Sequence, residues 1–157
     1  MYKTKIFFLT TFFVIILSGQ ISLNQTSNNI SDKALIIFDT DTELSILLSR
    51  QALVADPANS YAWAVAGNIL RKNKRYNEAE SYFKKSLEIN PFLKEGLYWS
   101  AENNISLNNF DDAREKLAIL KSSCSGCNEL KMLQSSLSQK EQQAYQNSIS
   151  KNENLDE

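Results

Sequence analysis

The feature that most constrains this chain is a 34-residue stretch, residues 60–93, in which apolar and small residues recur at helical spacing. The marked positions hold Trp63, Gly67, Leu70, Tyr76, Ala79, Phe83, Leu87 and Pro91. Trp63, Gly67 and Leu70 lie at i, i+4 and i+7 and therefore share one helix face. Ala79 and Phe83 share a face of a second helix in the same way, and Pro91 ends that helix because proline cannot continue it. The stretch predicts two helices packed face to face.

The composition agrees with a helical chain. Only 4 of the 157 residues are glycine and 2 are proline. Such scarcity suits helices with short connections and disfavours a turn-rich β-sandwich. Gly67 and Ala79 are small residues on the two apolar faces, which lets the helices approach closely. We therefore expect an all-α fold.

The order W-x2-A-G-x2-L, then Y-x2-A-x3-F-x2-S, then a closing proline resembles the tetratricopeptide repeat. Leu70 departs from that pattern, because the family often has tyrosine there. The resemblance implies a short solenoid of helical hairpins, in which the first helix of each hairpin lines a concave groove. It also implies a module that binds a peptide or another protein.

The same period continues downstream. A step of 34 residues places apolar or small residues at the corresponding positions of a second, degenerate copy over 94–127: Leu97, Ala101, Phe110, Ala113 and Leu117. In this copy Asn109 is the expected N-cap of the second helix. After it, Leu130, Leu133 and Leu137 predict an amphipathic capping helix over 128–141.

A step of 34 residues upstream indicates half a repeat over 41–59. Its partner helix would fall at about residues 29–39, within a poorly defined segment, 21–40, that is either a truncated helix or an extended strand-like segment. The helical domain is thus expected over 41–141, with about two and a half repeats plus the capping helix. The polar, acidic residues 142–157 are expected to be disordered.

The N-terminus resembles an export signal. Lys3 and Lys5 precede a twelve-residue apolar run, residues 6–17, and small residues follow near Gly19. The run is short for a membrane-spanning helix but suits the core of a signal peptide. We expect residues 1–20 to be a cleaved signal peptide, with an uncleaved signal-anchor as the alternative. The protein would lie in the periplasm, or be anchored in the inner membrane facing it; only the anchored form would contact a membrane.

Two absences narrow the chemistry. The chain has no histidine, which excludes imidazole-based nucleophile pairs and the usual zinc finger. Its formal net charge is −1, so no general basic field points to nucleic acid. We expect no enzymatic activity, no cofactor, no metal site and no nucleic-acid partner.

The one motif with chemical character is Cys124-Ser125-Gly126-Cys127. It is open to three interpretations: a local structural disulfide, a redox-active pair, or half of a metal site. The metal site would need ligands from a second subunit. A structural disulfide is the preferred interpretation, because the flanking segments are helical rather than thioredoxin-like.

The resemblance assigns groove positions on the first helix of each copy. In the first copy these include Tyr61, Val65, Asn68, Arg71 and Lys72, and in the second copy Glu95, Tyr98, Trp99 and Glu102. Asn68 matches one position of the family's carboxylate clamp. Ala64 and Trp99, however, stand where the clamp needs lysine and asparagine, so the clamp is not supported.

The expected function is therefore that of an exported adaptor or assembly factor that binds a peptide or protein in its groove without catalysis. The alternative is a thiol–disulfide factor, such as one serving cytochrome c maturation, that uses Cys124 and Cys127.

Overall fold

The computed structural model describes residues 23–153. The signal segment expected at 1–20 lies outside the described residues. Within them the chain forms seven helices and no strand: α1 (residues 23–37), α2 (Thr42–Ala55), α3 (Ser60–Lys72), α4 (Tyr76–Ile89), α5 (Lys94–Ser106), α6 (Phe110–Ser123) and α7 (Asn128–Glu153). The predicted all-α solenoid is confirmed.

The helices form hairpins that stack side by side. Helix α3 packs on α4 and α5 on α6 within hairpins, while α3–α5 and α5–α7 contacts join the first helices into one row. In a stack of this kind the row of first helices lines the concave side. Helices α2, α4 and α6 form the outer layer.

The central hairpin closes over a fully buried aromatic ring. Phe83 of α4 is 0% exposed and packs with Leu70 and Ala79. Trp63, which the sequence places on the same apolar face as Gly67 and Leu70, is only half-buried. Its indole Nε1 donates a hydrogen bond to the carbonyl of Pro57 (2.9 Å), and its ring lies 5.5 Å from that of Tyr82.

Two hairpin turns repeat the same geometry one period apart. Lys74 (φ 59°) and Asn108 (φ 61°) both adopt the left-handed conformation after α3 and α5. The next residues, Arg75 and Asn109, donate backbone hydrogen bonds back to the carbonyls of Leu70 and Asn104. These bonds span five residues, as in the usual left-handed C-terminal cap.

Helix α1 corrects the expectation of a poorly defined segment. Residues 23–37 form a helix, so the first unit is a complete hairpin rather than the half repeat expected at 41–59. Its contact with α2 uses hydroxyl groups: Ser27 Oγ donates to the carbonyl of Ala52 (2.9 Å), and Ser45 Oγ donates to that of Ala34 (2.7 Å). The buried face of α1 thus consists largely of small residues, which explains why its apolar periodicity is weak.

Helix α7 includes the predicted cap and continues beyond it. Leu130, Leu133 and Leu137 are buried against α5 and α6, as the spacing predicts. The helix runs on to Glu153, so the tail predicted to be disordered is helical as far as the structure describes it. Every residue over 142–150 is exposed, and those turns have no core to stabilise them. Among the described helices, none is long and apolar enough to cross a bilayer.

Candidate protein-binding groove

The nine groove residues predicted from the repeat lie on α3 and α5, which pack directly against each other. Val65 and Asn68 are buried, and the other seven residues are partly or fully exposed. Their role in binding stays a prediction.

At the α1 end of the groove two aromatic residues meet. The rings of Tyr61 and Trp99 lie 6.5 Å apart, and the Tyr61 hydroxyl donates to Asp32 Oδ1 (2.7 Å). Burial, this hydrogen bond and the nearby carboxylates of Asp32 and Glu95 raise the pKa of Tyr61 well above its usual range. Tyr61 is therefore a neutral, fixed ring.

Val65 is not a groove residue. Its side chain is 0% exposed and packs with Ala34, Phe38 and Ile69 between α1 and α3. In the repeat pattern this position faces the groove, but in this structure α1 packs over it. Trp99 is half-buried and touches the same cluster, so it supports the fold as well as the surface.

Lys72 is engaged by the α1–α2 connection. Its ammonium group forms an ion pair with Asp39 (3.1 Å) and lies 4.2 Å from the centre of the Phe38 ring. Both contacts tie the end of α3 to the first hairpin. Lys72 therefore stabilises the packing of α3 against the first hairpin, and its charge is already paired.

Arg71 and Asn68 form a pair, and Asn68 is buried, so it supports the Arg71 side chain rather than facing a ligand as predicted. The Nε and Nη2 atoms of Arg71 donate to Asn68 Oδ1 at 3.1 and 2.8 Å. Burial lowers the pKa of Arg71, and the carboxylate of Glu102 partly opposes this effect. The guanidinium stays charged at neutral pH, because arginine does not lose its proton in proteins.

Between α5 and α7 lies a shallow cavity of about 500 Å³ that is open to solvent. Its wall on α5 is formed by Tyr98 and Glu102, and its wall on α7 by Lys131, Met132, Ser135, Ser136 and Gln139. Burial raises the pKa of Tyr98, with the nearby Glu102 carboxylate adding to the effect.

The cavity-lining residues of α7 are not among those predicted from the sequence. A signal for them exists, since one further step of 34 residues from Tyr98 and Glu102 reaches Met132 and Ser136. The three leucines already explain that segment as a capping helix, so the continuation of the 34-residue period is easily missed. Glu95, the remaining predicted groove residue, is partly buried and lies 3.9 Å from Lys94 Nζ.

The cysteines lie apart from the groove-lining residues, in the turn between α6 and α7. Cys124 and Cys127 are joined in the structure, with their Cα atoms 5.7 Å apart, and both pack against the core around Leu120 and Leu130. Whether the bond forms where the protein works stays a prediction. No group of three or more histidine, cysteine, aspartate or glutamate side chains able to hold a metal ion occurs among residues 23–153.

Comparison with known families assigns the central hairpin. The model of the tetratricopeptide repeat matches residues 60–93, and the described chain has the fold of such repeat arrays. The resemblance seen in the sequence is confirmed. A comparison with curated protein sequences finds no match.

Solved structures with this fold share little sequence with the chain. The Hsp90 co-chaperone Cns1 from Saccharomyces cerevisiae has a TM-score of 0.69 and 14% identity, over 85% of this chain and 45% of Cns1. The match therefore covers less than half of the solved Cns1 chain. The second repeat domain of Spaghetti (RPAP3), bound to the HSP90 peptide SRMEEVD, has a TM-score of 0.56 and 17% identity, over 65% of this chain and 94% of that one.

The Yersinia enterocolitica type III secretion chaperone SycD, in complex with a peptide of the translocator YopD, has a TM-score of 0.61 and 14% identity. The match covers 74% of this chain and 89% of SycD. At such identities the similarity defines the fold alone.

Proposed function

We propose that this protein is a non-catalytic binding module that holds a peptide, or an extended segment of another protein, along the row α3–α5–α7. The observation that carries this proposal is the cavity of about 500 Å³ that Tyr98 and Glu102 form with residues of α7. It lies on the first helices of consecutive repeats and combines an aromatic ring, a thioether and several hydrogen-bonding groups. This mixture is typical of a surface that takes a peptide.

Two of the similar folds support this proposal, since RPAP3 and SycD were each solved with a peptide bound. The peptides bound by RPAP3 and SycD do not identify the ligand of this chain. What this chain shares with them is the fold, a stack of helical hairpins.

The export signal in the sequence extends the proposal to the place of action. We infer that the protein works as an adaptor or assembly factor outside the cytoplasm, where Cys124 and Cys127 would be oxidised to a structural disulfide. Cell fractionation combined with mass spectrometry of the intact protein tests both points. A full-length N-terminus in the cytosolic fraction, with two alkylatable thiols, would contradict them.

The binding role is tested with paired variants on the same helix. Met132→Ala removes a cavity-lining side chain that is 53% exposed, whereas Gln134→Ala removes an exposed side chain of α7 that does not line the cavity. Tyr98 is not substituted, because its ring also packs against the core around Leu97. Capture of partners from a native envelope extract should fall sharply for Met132→Ala. It should be unchanged for Gln134→Ala.

Helical circular dichroism of each variant must match that of the parent chain for the comparison to count. Trp99 is unsuitable for this experiment, because its ring also packs against the core. Equal capture by all variants would remove the groove from the mechanism.

A further inference from the structure

We propose that the cavity between α5 and α7 selects a basic side chain of the bound segment, with the cation held by Glu102 and its aliphatic stem against Tyr98 and Met132. This inference rests on the proposed binding function and names the chemistry of the ligand.

Glu102 provides the first reason. Its Oε1 atom is buried and has no hydrogen-bond partner within the described part of the chain. A buried carboxylate oxygen without a donor is costly, because it has lost its hydration without a replacement. The second oxygen, Oε2, is not buried and has no hydrogen-bond partner in the described chain, so a ligand can reach the carboxylate there. A cationic donor would stabilise the carboxylate most, because charge-assisted hydrogen bonds are the stronger kind.

The neighbouring cations do not already fill this role. Arg71 interacts electrostatically with Glu102, but its guanidinium donates to Asn68, and the two charged groups form no ion pair within 4.0 Å in the described chain. Lys131 also lines the cavity, and it is exposed, whereas Glu102 Oε1 is buried. The Glu102 carboxylate is therefore an anionic group of the cavity wall that has no ion-pair partner in the described chain.

The walls suit the rest of a lysine or arginine side chain. The Tyr98 ring offers a π face to a cation and an apolar surface to methylene groups. Met132 is exposed and unbranched, so it can adapt to a stem of either length. This selectivity is opposite in charge to that of a site built to hold an acidic tail.

A randomised peptide library displayed on phage tests the preference and assumes nothing about the identity of the partner. The full chain is used as bait, alongside Glu102→Gln, which keeps the shape of the side chain and removes its charge. Glu129→Gln is the matched control, since it changes the net charge equally on the adjacent helix, where Glu129 pairs with Lys94 (3.4 Å). The best peptide is then resynthesised and titrated by calorimetry.

The parent chain and Glu129→Gln should enrich lysine or arginine at one position flanked by apolar residues, and Glu102→Gln should lose that enrichment. The resynthesised peptide should bind Glu102→Gln about tenfold or more weakly, the scale expected for a hydrogen bond to a charged group. Enriched peptides with acidic or neutral residues, or a basic preference that survives Glu102→Gln, would overturn the inference alone. Failure to enrich any peptide would instead contradict the proposed function.

Discussion

Gly67 of α3 lies directly against the ring of Phe83 of α4. A Cβ atom placed on Gly67 would come within 2.8 Å of Phe83 Cε1 and 2.9 Å of Cδ1. The ring is fully buried and has no room to move aside. The glycine therefore sets the distance between the two helices of the central hairpin.

Substitution of this glycine should destabilise the protein. Overpacking a core typically costs about 1–3 kcal/mol, and the better helix propensity of alanine offsets roughly 1 kcal/mol of it. We expect Gly67→Ala to lower the free energy of unfolding by up to about 2 kcal/mol in urea denaturation. Gly126→Ala is the control, because nothing lies within 4 Å of a Cβ atom there.

A double mutant separates the steric effect from other causes. In a Phe83→Leu background the clashing ring atoms are gone, so Gly67→Ala should cost less than in the parent chain. A coupling energy above about 0.5 kcal/mol is expected for side chains in contact. Strictly additive effects of the two substitutions would show that the close approach to Phe83 is not the reason why position 67 requires glycine.

Two asparagines at helix N-caps differ sharply in their bonding. Asn59 Oδ1 accepts from the backbone N–H groups of Tyr61 and Ala62, while its Nδ2 donates to Ser27 Oγ and Asn28 Oδ1. Asn109, the N-cap expected from the sequence, makes no such side-chain bond to the backbone of α6.

We therefore expect Asn59→Ala to lower the free energy of unfolding by about 2–3 kcal/mol, as a lost cap plus lost buried hydrogen bonds. Asn109→Ala should change it by less than about 0.5 kcal/mol. Chemical denaturation followed by circular dichroism measures both. Similar costs for the two variants would refute the difference in their roles.

A substitution at Lys74, whose backbone is left-handed, should increase the stability of the protein. Lysine pays a steric penalty there that glycine does not, so Lys74→Gly should raise the free energy of unfolding by about 0.5–1 kcal/mol. Asn108→Gly, one period later, should gain less because asparagine tolerates this conformation. A thermal melt of the three chains checks the order, and a lower melting temperature for Lys74→Gly would be inconsistent with it.

The stability of the protein should decrease at alkaline pH because of Tyr61. Burial, its bond to Asp32 and nearby carboxylates raise its pKa in the folded state above the ordinary value of 10.0. The folded chain therefore keeps a proton that the unfolded chain loses, and stability falls as pH rises above about 10. Tyr61→Phe should flatten this decline, measured by denaturation between about pH 9 and pH 11. Tyr145→Phe, which removes an exposed phenol, is the control.

The end of α7 should contribute little to folding. Deletion of residues 142–157 removes only exposed side chains where the structure describes them, so the free energy of unfolding should change by less than about 0.5 kcal/mol. An isolated helix of this length is marginal in water. Amide hydrogen exchange in the intact chain should accordingly be fast after Glu141 and slow around Leu133; uniform protection along α7 would argue against it.

Much of the fold is predictable because the 34-residue period imposes the same contacts again and again. Gly67, Ala79 and Phe83 indicate the central hairpin, and the second copy follows from Ala101 and Ala113. Helix α1 is not predictable in this way, because its buried serines and alanine contribute hydrogen bonds and fit rather than apolar periodicity.

The groove is less predictable than the fold. A repeat pattern gives the direction in which a side chain points, as for Tyr98 and Glu102, but not whether a neighbouring element covers it. Val65 is lost from the groove for that reason, since α1 lies over it. Met132 escapes prediction because the leucines of α7 mark that helix as an end of the array, whereas it also serves as one more inner helix.

The hydroxyl-lined contact between α1 and α2 has a consequence for how the molecule opens. The apolar contacts of α1 are made with α3 instead, where Ala34 packs against Val65 and Ile69. Parting α1 from α2 therefore separates less apolar area than parting α1 from α3, so the weaker boundary lies inside the first hairpin. A ligand that contacts both Asp32 and Tyr61 would strengthen the α1–α3 boundary and should slow the opening of α1.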